Sequence, residues 1–314
     1  MSLPKFNVIN FLTDSRYRIR AFGYLGLYNK CSDKYFLEKM YYSQMGKRLN
    51  LNSPKTFSEK IQWLKLYDRR PEYTMMVDKF AVKEYVSDKI GKEYVIPTLG
   101  VWDSFEQIDF ETLPNQFVLK CTHDSGGVVI CKNKLRFNFD GAKDIINKSL
   151  KNNYYIGNRE WPYKNVKPRI IAEKYMEDKS NTDLKDYKFY CFDGTPKYCQ
   201  VISDRFKDER MDFFDMDWKL QNFNRVDLDG SEFKHSEIEI KKPTNLDLMI
   251  EFSAILSKGI AFSRIDFYEV NDKLYFGEIT FYPASGYSDF KPDEWNDYLG
   301  DLIVLPIEGE KKND

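Results

Sequence analysis

The sequence predicts an α+β protein built on antiparallel sheet, and two observations carry that reading. Strand-type runs rich in β-branched and aromatic residues come in pairs joined by short turns: residues 262–270 and 273–281 flank Asn271-Asp272, and residues 116–121 and 128–132 flank a loop containing Gly126 and Gly127. Helical runs stand apart from these pairs, at 57–67, from Asp78 to Gly91, at 141–150 and at 243–258. Hairpins without a regular strand-helix-strand repeat indicate antiparallel sheet.

In chain order, residues 1–50 carry nine Lys/Arg against three Asp/Glu, a net charge of +6 that leaves −7 for the rest. Arg16, Arg18 and Arg20 lie among Phe11, Leu12, Tyr17, Ile19 and Phe22. This is a basic amphipathic helix, which serves either to dock on the body through its aromatic stripe or to visit an anionic membrane surface. Thr56 and Glu59 form a capping box ahead of Ile61 and Leu64 at helical spacing. A second helix follows Asp78, with Phe80, Tyr85 and Val86 inward, and ends near Gly91. Strands are expected at 169–176, 186–192 and 197–203, and residues 208–241 are polar and turn-rich, in the manner of an irregular hairpin covering the site. Pro243 opens a helix with Leu246, Met249, Ile250 and Ile255 periodic, and the acidic tail after Asp293 is expected to fray.

Composition excludes several classes. The net charge of −1 argues against nucleic acid as a partner. No run approaches the roughly 20 apolar residues of a transmembrane helix, and the N-terminus lacks a signal-peptide pattern, so a cytoplasmic protein is expected. Five cysteines with no C-x-x-C spacing read as reduced structural thiols, and two histidines leave little material for a His-based zinc site or a Ser-His-Asp triad.

The late hairpin is the most informative segment. If its turn centres on Asp272, Asp266 faces Glu278, and Arg264 and Thr280 pair beside them on the same face. A two-residue turn would put the acids on opposite faces. Facing carboxylates call for a cation between them. A hard ion such as Mg²⁺, which binds one or two carboxylates with phosphate oxygens, fits, and so does an ion pair with Arg264.

Three further signals are weak singly. The Gly126-Gly127 loop lies between two strands, so it is neither a Walker nor a Rossmann loop, though its amides can form an anion-binding nest with Lys120 beside them; taken alone it is a common turn. Lys79 stands at the start of the second helix, where an ammonium and a helix N-terminus can both face phosphate, or where a lysine is simply exposed. Ile170-Ile-Ala-Glu-Lys-Tyr-Met176 is a strand running into a polar break, an edge that can offer backbone groups to an adenine. Arg264-x-Asp266 and Glu278-x-Thr280 complete the succession.

That succession resembles the ATP-grasp superfamily and, more closely, its TupA-like branch, named for teichuronopeptide biosynthesis. The resemblance spans roughly residues 51–288. Its most specific pieces are Thr56-Phe-Ser-Glu-Lys-Ile-Gln-Trp-Leu-Lys65, Asp78-Lys-Phe-Ala-Val-Lys83, Asp186-Tyr-Lys-Phe189 and Gly277-Glu-Ile-Thr280. It implies an ATP-grasp fold in which two antiparallel-sheet lobes clamp ATP, with Mg²⁺ bridging the phosphates. The expected organisation is a basic helical extension over 1–50, a helical region over 51–115, a small lobe with a glycine lid over 116–176, a C-terminal lobe with the metal site over 177–292, and a tail over 293–314.

By position, the resemblance makes Lys79 and Lys120 phosphate-directed lysines, and Asp124, Ser125, Gly126 and Gly127 the lid. It assigns Glu173, Lys174 and Met176 to the adenine hinge, Asp186 to the ribose, Lys188 to the phosphates, Asp266 and Glu278 to the metal, and Arg264 to the acyl phosphate or substrate carboxylate. Thr280 stands where many members carry Asn, leaving a hydroxyl as the third metal or phosphate ligand. A further cation is expected from Arg205, Arg210 or Lys219.

The implied reaction activates a carboxylate by γ-phosphoryl transfer and lets an amine displace phosphate. It relies on positioning and charge neutralisation, in keeping with a chain rich in charged residues and poor in histidine. The branch implies amide formation in cell-surface polysaccharide, for instance between a uronic-acid carboxylate and an amino acid or small amine, with tyrosines and tryptophans such as Tyr154, Tyr163 and Tyr282 available to stack on sugars. Two rivals are a glycosyltransferase using Asp215-Met-Asp217 as an Asp-x-Asp metal site and a binding protein with a decayed site.

Overall fold

The computed structural model describes residues 7–178, 185–203, 209–227 and 230–306. Four strands, β1 (Thr98–Trp102), β2 (Phe117–Cys121), β3 (Val128–Cys131) and β4 (Ile170–Lys174), form an antiparallel sheet in the order β1-β4-β2-β3. A larger antiparallel sheet contains β5 (Asp186–Phe192), β6 (Thr195–Ser203) and β7 (Arg210–Phe214). After the short β8 (Asn224–Arg225) it is completed by β9 (Phe262–Val270) and β10 (Lys273–Thr280), in the order β10-β9-β5-β6-β7. A last short strand, β11 (Phe290–Lys291), pairs with β8. The α+β class with antiparallel sheet is as the hairpins predict. β1 is not among the expected strands: Gly100 interrupts its short run of strand-forming residues, and none of the five is fully buried.

The N-terminal extension contains α1 (Val8–Thr13), α2 (Ser15–Tyr24) and α3 (Asp33–Met45). Its arginines are spent on carbonyls. Arg16 donates to Ser43 O at 3.0 Å and Gln44 O at 3.1 Å, and Arg20 to Ser43 O at 3.0 Å, at the C-terminal end of α3 where orphan carbonyls attract cations. Arg18 donates to Phe11 O and Leu12 O in the same way at the end of α1. The basic helix is thus docked, while Val8, Ile9 and Leu12 of α1 stay exposed. No helix among the described residues is long and apolar enough to cross a membrane.

Next comes α4 (Phe57–Tyr67), entered through the predicted capping box: Glu59 N donates to Thr56 Oγ1 at 3.3 Å and Thr56 N to Glu59 Oε2 at 3.2 Å. The helix expected from Asp78 begins later. Asp78 caps a turn, accepting from Phe80 N and Ala81 N, a short α5 (Glu72–Val77) precedes it, and α6 runs Val82–Ile90. Lys79 therefore sits in a turn rather than at a helix N-terminus. α7 (Phe139–Leu150) packs on β2 and β3 over a core of Phe105, Phe117, Leu119, Ile146 and Ile170, and α8 (Tyr154–Asn158) follows. α9 (Leu246–Ser257) packs on β5, β6 and β9 over the main core, where Leu246, Met249, Leu256, Phe189, Ile265 and Phe267 are buried. The expected fraying of the tail does not occur within the described residues: α10 (Glu294–Asp301) buries Asn296 and Leu299 and approaches α4 so closely that a Cβ on Gly300 would lie 2.0 Å from Lys55 O. In the segment expected to cover the site, residues 210–214 are instead β7, an edge strand of the large sheet.

Candidate active site

The facing acids arise by a route the sequence did not suggest. Asn271 and Asp272 make a two-residue turn with φ of 51° and 61°, the left-handed pair that a tight hairpin demands, and Lys273 pairs with Val270. That register alone would put Asp266 and Glu278 on opposite faces. A bulge at Gly277 shifts the ladder by one residue, so that Asp266 faces Glu278 and Arg264 faces Thr280. A Cβ at Gly277 would meet Asp266 O at 3.0 Å and Tyr268 Cε2 at 3.1 Å, so the bulge favours glycine.

On the other side of β9, Lys188 pairs with Asp266, so three adjacent strands present Lys188, Asp266 and Glu278 in one row. Arg264 holds Asp266 through both oxygens, Nε to Oδ1 and Nη2 to Oδ2, each at 2.7 Å. Lys188 Nζ lies 2.6 Å from Asp266 Oδ2 and 3.3 Å from Asp186 Oδ2. Arg264 Nη2 also reaches Glu278 Oε1 at 3.0 Å and Thr280 Oγ1 at 3.1 Å, and Thr280 Oγ1 donates to Glu278 Oε1 at 3.1 Å. The two acids differ in access: the Asp266 side chain is 2% exposed and that of Glu278 44%. Burial raises Asp266 above the usual carboxylate range against the pull of Arg264 and Lys188. At Glu278 burial acts the same way but is outweighed by Arg264, Lys188 and Lys79, which hold the carboxyl at about 2.

The smaller sheet supplies a second charged cluster. Glu173 on β4 is buried and pairs with Lys120 of β2 at 2.6 Å and with Lys83 of α6, which also donates to Ile96 O at 2.7 Å. Burial opposes ionisation of Glu173, but the two lysines keep its carboxyl low. Lys79 Nζ donates to Asp124 O, and its backbone N–H to Thr122 O at 3.1 Å, fixing the turn after α5 to the glycine loop. Burial lowers the Lys79 ammonium, with Glu278 and Asp124 acting against it.

In the glycine loop, the carboxylate of Asp124 is buried and accepts from Gly126 N at 3.3 Å, Gly127 N at 3.2 Å and Ser149 Oγ. The amides expected to form an outward anion nest are thus turned onto Asp124 in this conformation. Gly127 is confined, since a Cβ there would lie 2.1 Å from Ser149 Oγ, whereas Gly126 faces open space. Ser125 Oγ donates to Tyr154 OH at 3.3 Å.

A sequence profile described as TupA-like ATPgrasp matches residues 59–304, most of the chain. The chain belongs to the TupA-like ATP-grasp family. Among solved structures it is similar to D-alanine–D-alanine ligase from Bacillus anthracis complexed with ATP, at 16% identity and a TM-score of 0.40 over 73% of this chain and 63% of that one. It is also similar to D-alanine–D-alanine ligase from Helicobacter pylori, at 14% identity and a TM-score of 0.39 over 79% and 69% of the two chains. A third is the ATP-grasp ligase PsnB with a phosphomimetic variant of a minimal precursor, Mg and ADP, at 12% identity and 0.38 over 78% and 65%. The chain spans less than two thirds of the length of the Bacillus anthracis ligase. No curated protein sequence matches it.

Within this ATP-grasp chain, Asp266, Glu278, Thr280, Arg264, Lys188 and Asp186 converge on the large sheet, and Lys79, Lys120 and Glu173 on the small one. The Glu173 carboxylate faces the lysines, so any adenine contact here falls to the backbone; Lys174 is exposed with its N–H on Pro97 O at 3.0 Å, and Met176 follows β4 half-buried. Arg205 lies outside the described residues. Arg210 donates to His235 O and Glu237, and Lys219 is an exposed residue 3.8 Å from Asp217, so neither is seen among the groups just described. Asp215 accepts from Asp217 N and Lys219 N, which makes the Asp-x-Asp segment a capped turn.

Lys83 was not picked out beforehand, although it lies in a motif that was. Neither were Gln62 and Lys65, both wholly buried on α4. Gln62 donates to Ser285 O and Gly286 O, and Lys65 to Ser285 O at 2.6 Å and Asn158 O at 3.1 Å, clamping a loop in which Ala284, Ser285 and Gly286 all have positive φ. The available signal was two polar residues sharing the core-facing side of the helix with Ile61.

The donor set fits a hard cation held with phosphate. It is all oxygen, two carboxylates and a hydroxyl, with lysines and an arginine around it. Among the described residues no cluster of three or more His, Cys, Asp or Glu is built to hold a metal alone.

Proposed function

We propose that this chain is an ATP-dependent carboxylate–amine ligase. The observation that carries the reading is the Asp266–Glu278 pair, brought onto one face by the Gly277 bulge with Arg264 and Lys188 between and beside them, in a chain of the ATP-grasp family. Mg²⁺·ATP bound here supplies a transferable phosphoryl group and a Lewis acid. Glu278, the more accessible acid, and Asp266 would hold the metal with Thr280 Oγ1. Lys79, Lys120 and Lys188 would lie along the phosphates, Glu173, Lys174 and Met176 would form the adenine hinge, and Asp186 would meet the ribose.

Arg264 is fixed by Asp266 with Nη2 directed past Glu278, which suits it to orient a carboxylate or acyl-phosphate oxygen. The loop over Asp124 to Gly127 would close over the phosphates and keep water from the mixed anhydride. Nucleotide binding would draw Lys188 and Lys120 from Asp266 and Glu173 toward phosphate. The narrower proposals are amide formation on a cell-surface polysaccharide or its precursor, between a uronic-acid carboxylate and an amino acid or small amine, in the cytoplasm. Exposed Val8, Ile9 and Leu12 support peripheral contact with the inner membrane face.

The test is release of ADP and phosphate from MgATP by the full chain with uronic acids and amines in combination. Release that requires both partners is expected. Release of a nucleoside diphosphate from nucleotide sugars, with ATP inert, would overturn the ligase reading.

A further inference from the structure

Segment 154–163 brings Tyr154, Glu160 and Tyr163 together beside the glycine loop. Tyr154 and Tyr163 meet edge to face, with ring centroids 4.7 Å apart at 60°, and form an aromatic corner. Both rings are partly open to solvent, and Tyr154 receives the Ser125 hydroxyl of the glycine loop. Beside them Glu160, 4% exposed, accepts from Ser285 Oγ at 2.6 Å through Oε1; its other oxygen has no hydrogen-bond partner among the described residues. Lys65 acts most strongly among the charges around Glu160, and Glu278 and Arg264 lie close enough to act on it as well; Tyr163 feels Glu160 and Glu278, with Arg264 opposing them. The corner, the carboxylate and the Glu278 acid of the hairpin therefore lie within electrostatic reach of one another.

Lys65 attracts the Glu160 carboxyl through space but is not bonded to it. Its ammonium donates to two carbonyls and lies 4.8 Å from the centre of the Tyr287 ring, and among the described residues it makes no direct ion pair with Glu160. A buried carboxylate with an oxygen to spare, next to two aromatic faces set at an angle, is the arrangement that recognises an ammonium group: charge from the acid, cation–π attraction from the rings. Burial raises the Glu160 carboxyl and the Tyr154 and Tyr163 phenols, so the rings stay neutral and the acid gains from a cationic partner.

We propose that Glu160, Tyr154 and Tyr163 form a docking site for a primary ammonium group, with Ser285 fixing the Glu160 rotamer. That this group, once its ammonium has given a proton to Glu160 or to water, is the amine nucleophile of the ligation rests on the ligase reading; the site itself does not. It would make the second substrate a cationic amine rather than a hydroxyl or a neutral amide.

The test uses the full chain saturated with MgADP and two probes, glycine ethyl ester and its uncharged N-acetyl form, followed by calorimetry and saturation-transfer NMR. The cationic ester should bind and the acetylated one should not. Glu160→Gln should weaken the cation by at least about tenfold, and Tyr163→Leu by a smaller factor, with MgADP stabilisation of both variants unchanged. Equal binding of the two esters, no binding of either, or unchanged affinity in Glu160→Gln overturns the proposal. Should Glu160→Gln fail to fold, Tyr163→Leu and Tyr154→Leu decide it by the same criterion. Loss of the MgADP effect in the wild type would instead count against the nucleotide reading, and the two esters would still be compared without nucleotide.

Discussion

In the large sheet, Asp266 receives a bidentate guanidinium from its own strand and an ammonium from the adjacent one while almost wholly buried. In the small sheet, Glu173 is nearly as deeply buried but is held by lysines alone, and their long stems leave Lys83 14% and Lys120 25% exposed. A fork gripping a carboxylate on the same strand cannot leave without exposing an uncompensated charge, whereas a lysine can swing its head toward water or a ligand along its apolar stem. The Arg264–Asp266 pair is thus a fixed framework in the large sheet, with Lys188 a movable lysine beside it, whereas Glu173 in the small sheet is held by movable lysines alone.

The largest effect should come from breaking the framework. Arg264→Met leaves Asp266 with Lys188 alone, and urea unfolding should show a loss of about 3–5 kcal/mol. Glu173→Gln removes the counter-charge of Lys83 and Lys120, but those ammoniums can relax into solvent, so a smaller loss of about 1.5–3 kcal/mol is expected. Equal losses would erase the contrast between the lobes. Glu278→Gln, at a partly exposed acid, should cost within about 1 kcal/mol of stability. It should still abolish the part of ATP stabilisation that depends on Mg²⁺, and retention of that part in a thermal scan would remove Glu278 from the metal site.

Acid unfolding sharpens the same point. The folded Glu278 carboxyl, held near 2, lies below its ordinary value of 4.5, so its contribution is complete above 4.5 and is lost as pH falls toward 2. Asp266 and Glu160, raised by burial, act in the opposite sense and gain relative stability on protonation. Glu278→Gln should therefore flatten the stability curve between pH 4.5 and 2. The smallest effect belongs to Asp215→Asn, which keeps a turn cap and should change stability within about 0.5 kcal/mol and leave ATP-dependent activity intact. A large loss of activity there would revive the Asp-x-Asp reading.

The legible parts of the sequence were those with local causes. The capping box at Thr56 and Glu59, the periodicity of α9 and the paired runs of the late hairpin act within a few residues, and each forms where local chemistry places it. Register was harder. Asp266 does face Glu278, yet through a two-residue turn corrected by a bulge at Gly277, a device that turn chemistry alone does not disclose. The sequence places Lys79 at a helix start because Asp78 is a capping residue type; Asp78 instead caps a turn, and the helix begins at Val82. The pairings Lys83–Glu173 and Lys65–Ser285 link residues far apart in sequence, so only the folded packing of α4 and α6 against the sheets brings them together. The order of the docked helices α1 to α3 likewise depends on arginines finding carbonyls at a distant helix end.

The central claim is that the two lobes together hold Mg²⁺·ATP, and thermal unfolding of the full chain with ATP, ADP, UDP and UDP-sugars, each with and without Mg²⁺, tests it most directly. A ligand that binds only the folded state raises the midpoint according to its occupancy. The account predicts a Mg²⁺-dependent rise with adenine nucleotides and none with uridine nucleotides. A rise with UDP-sugars and none with ATP would contradict it.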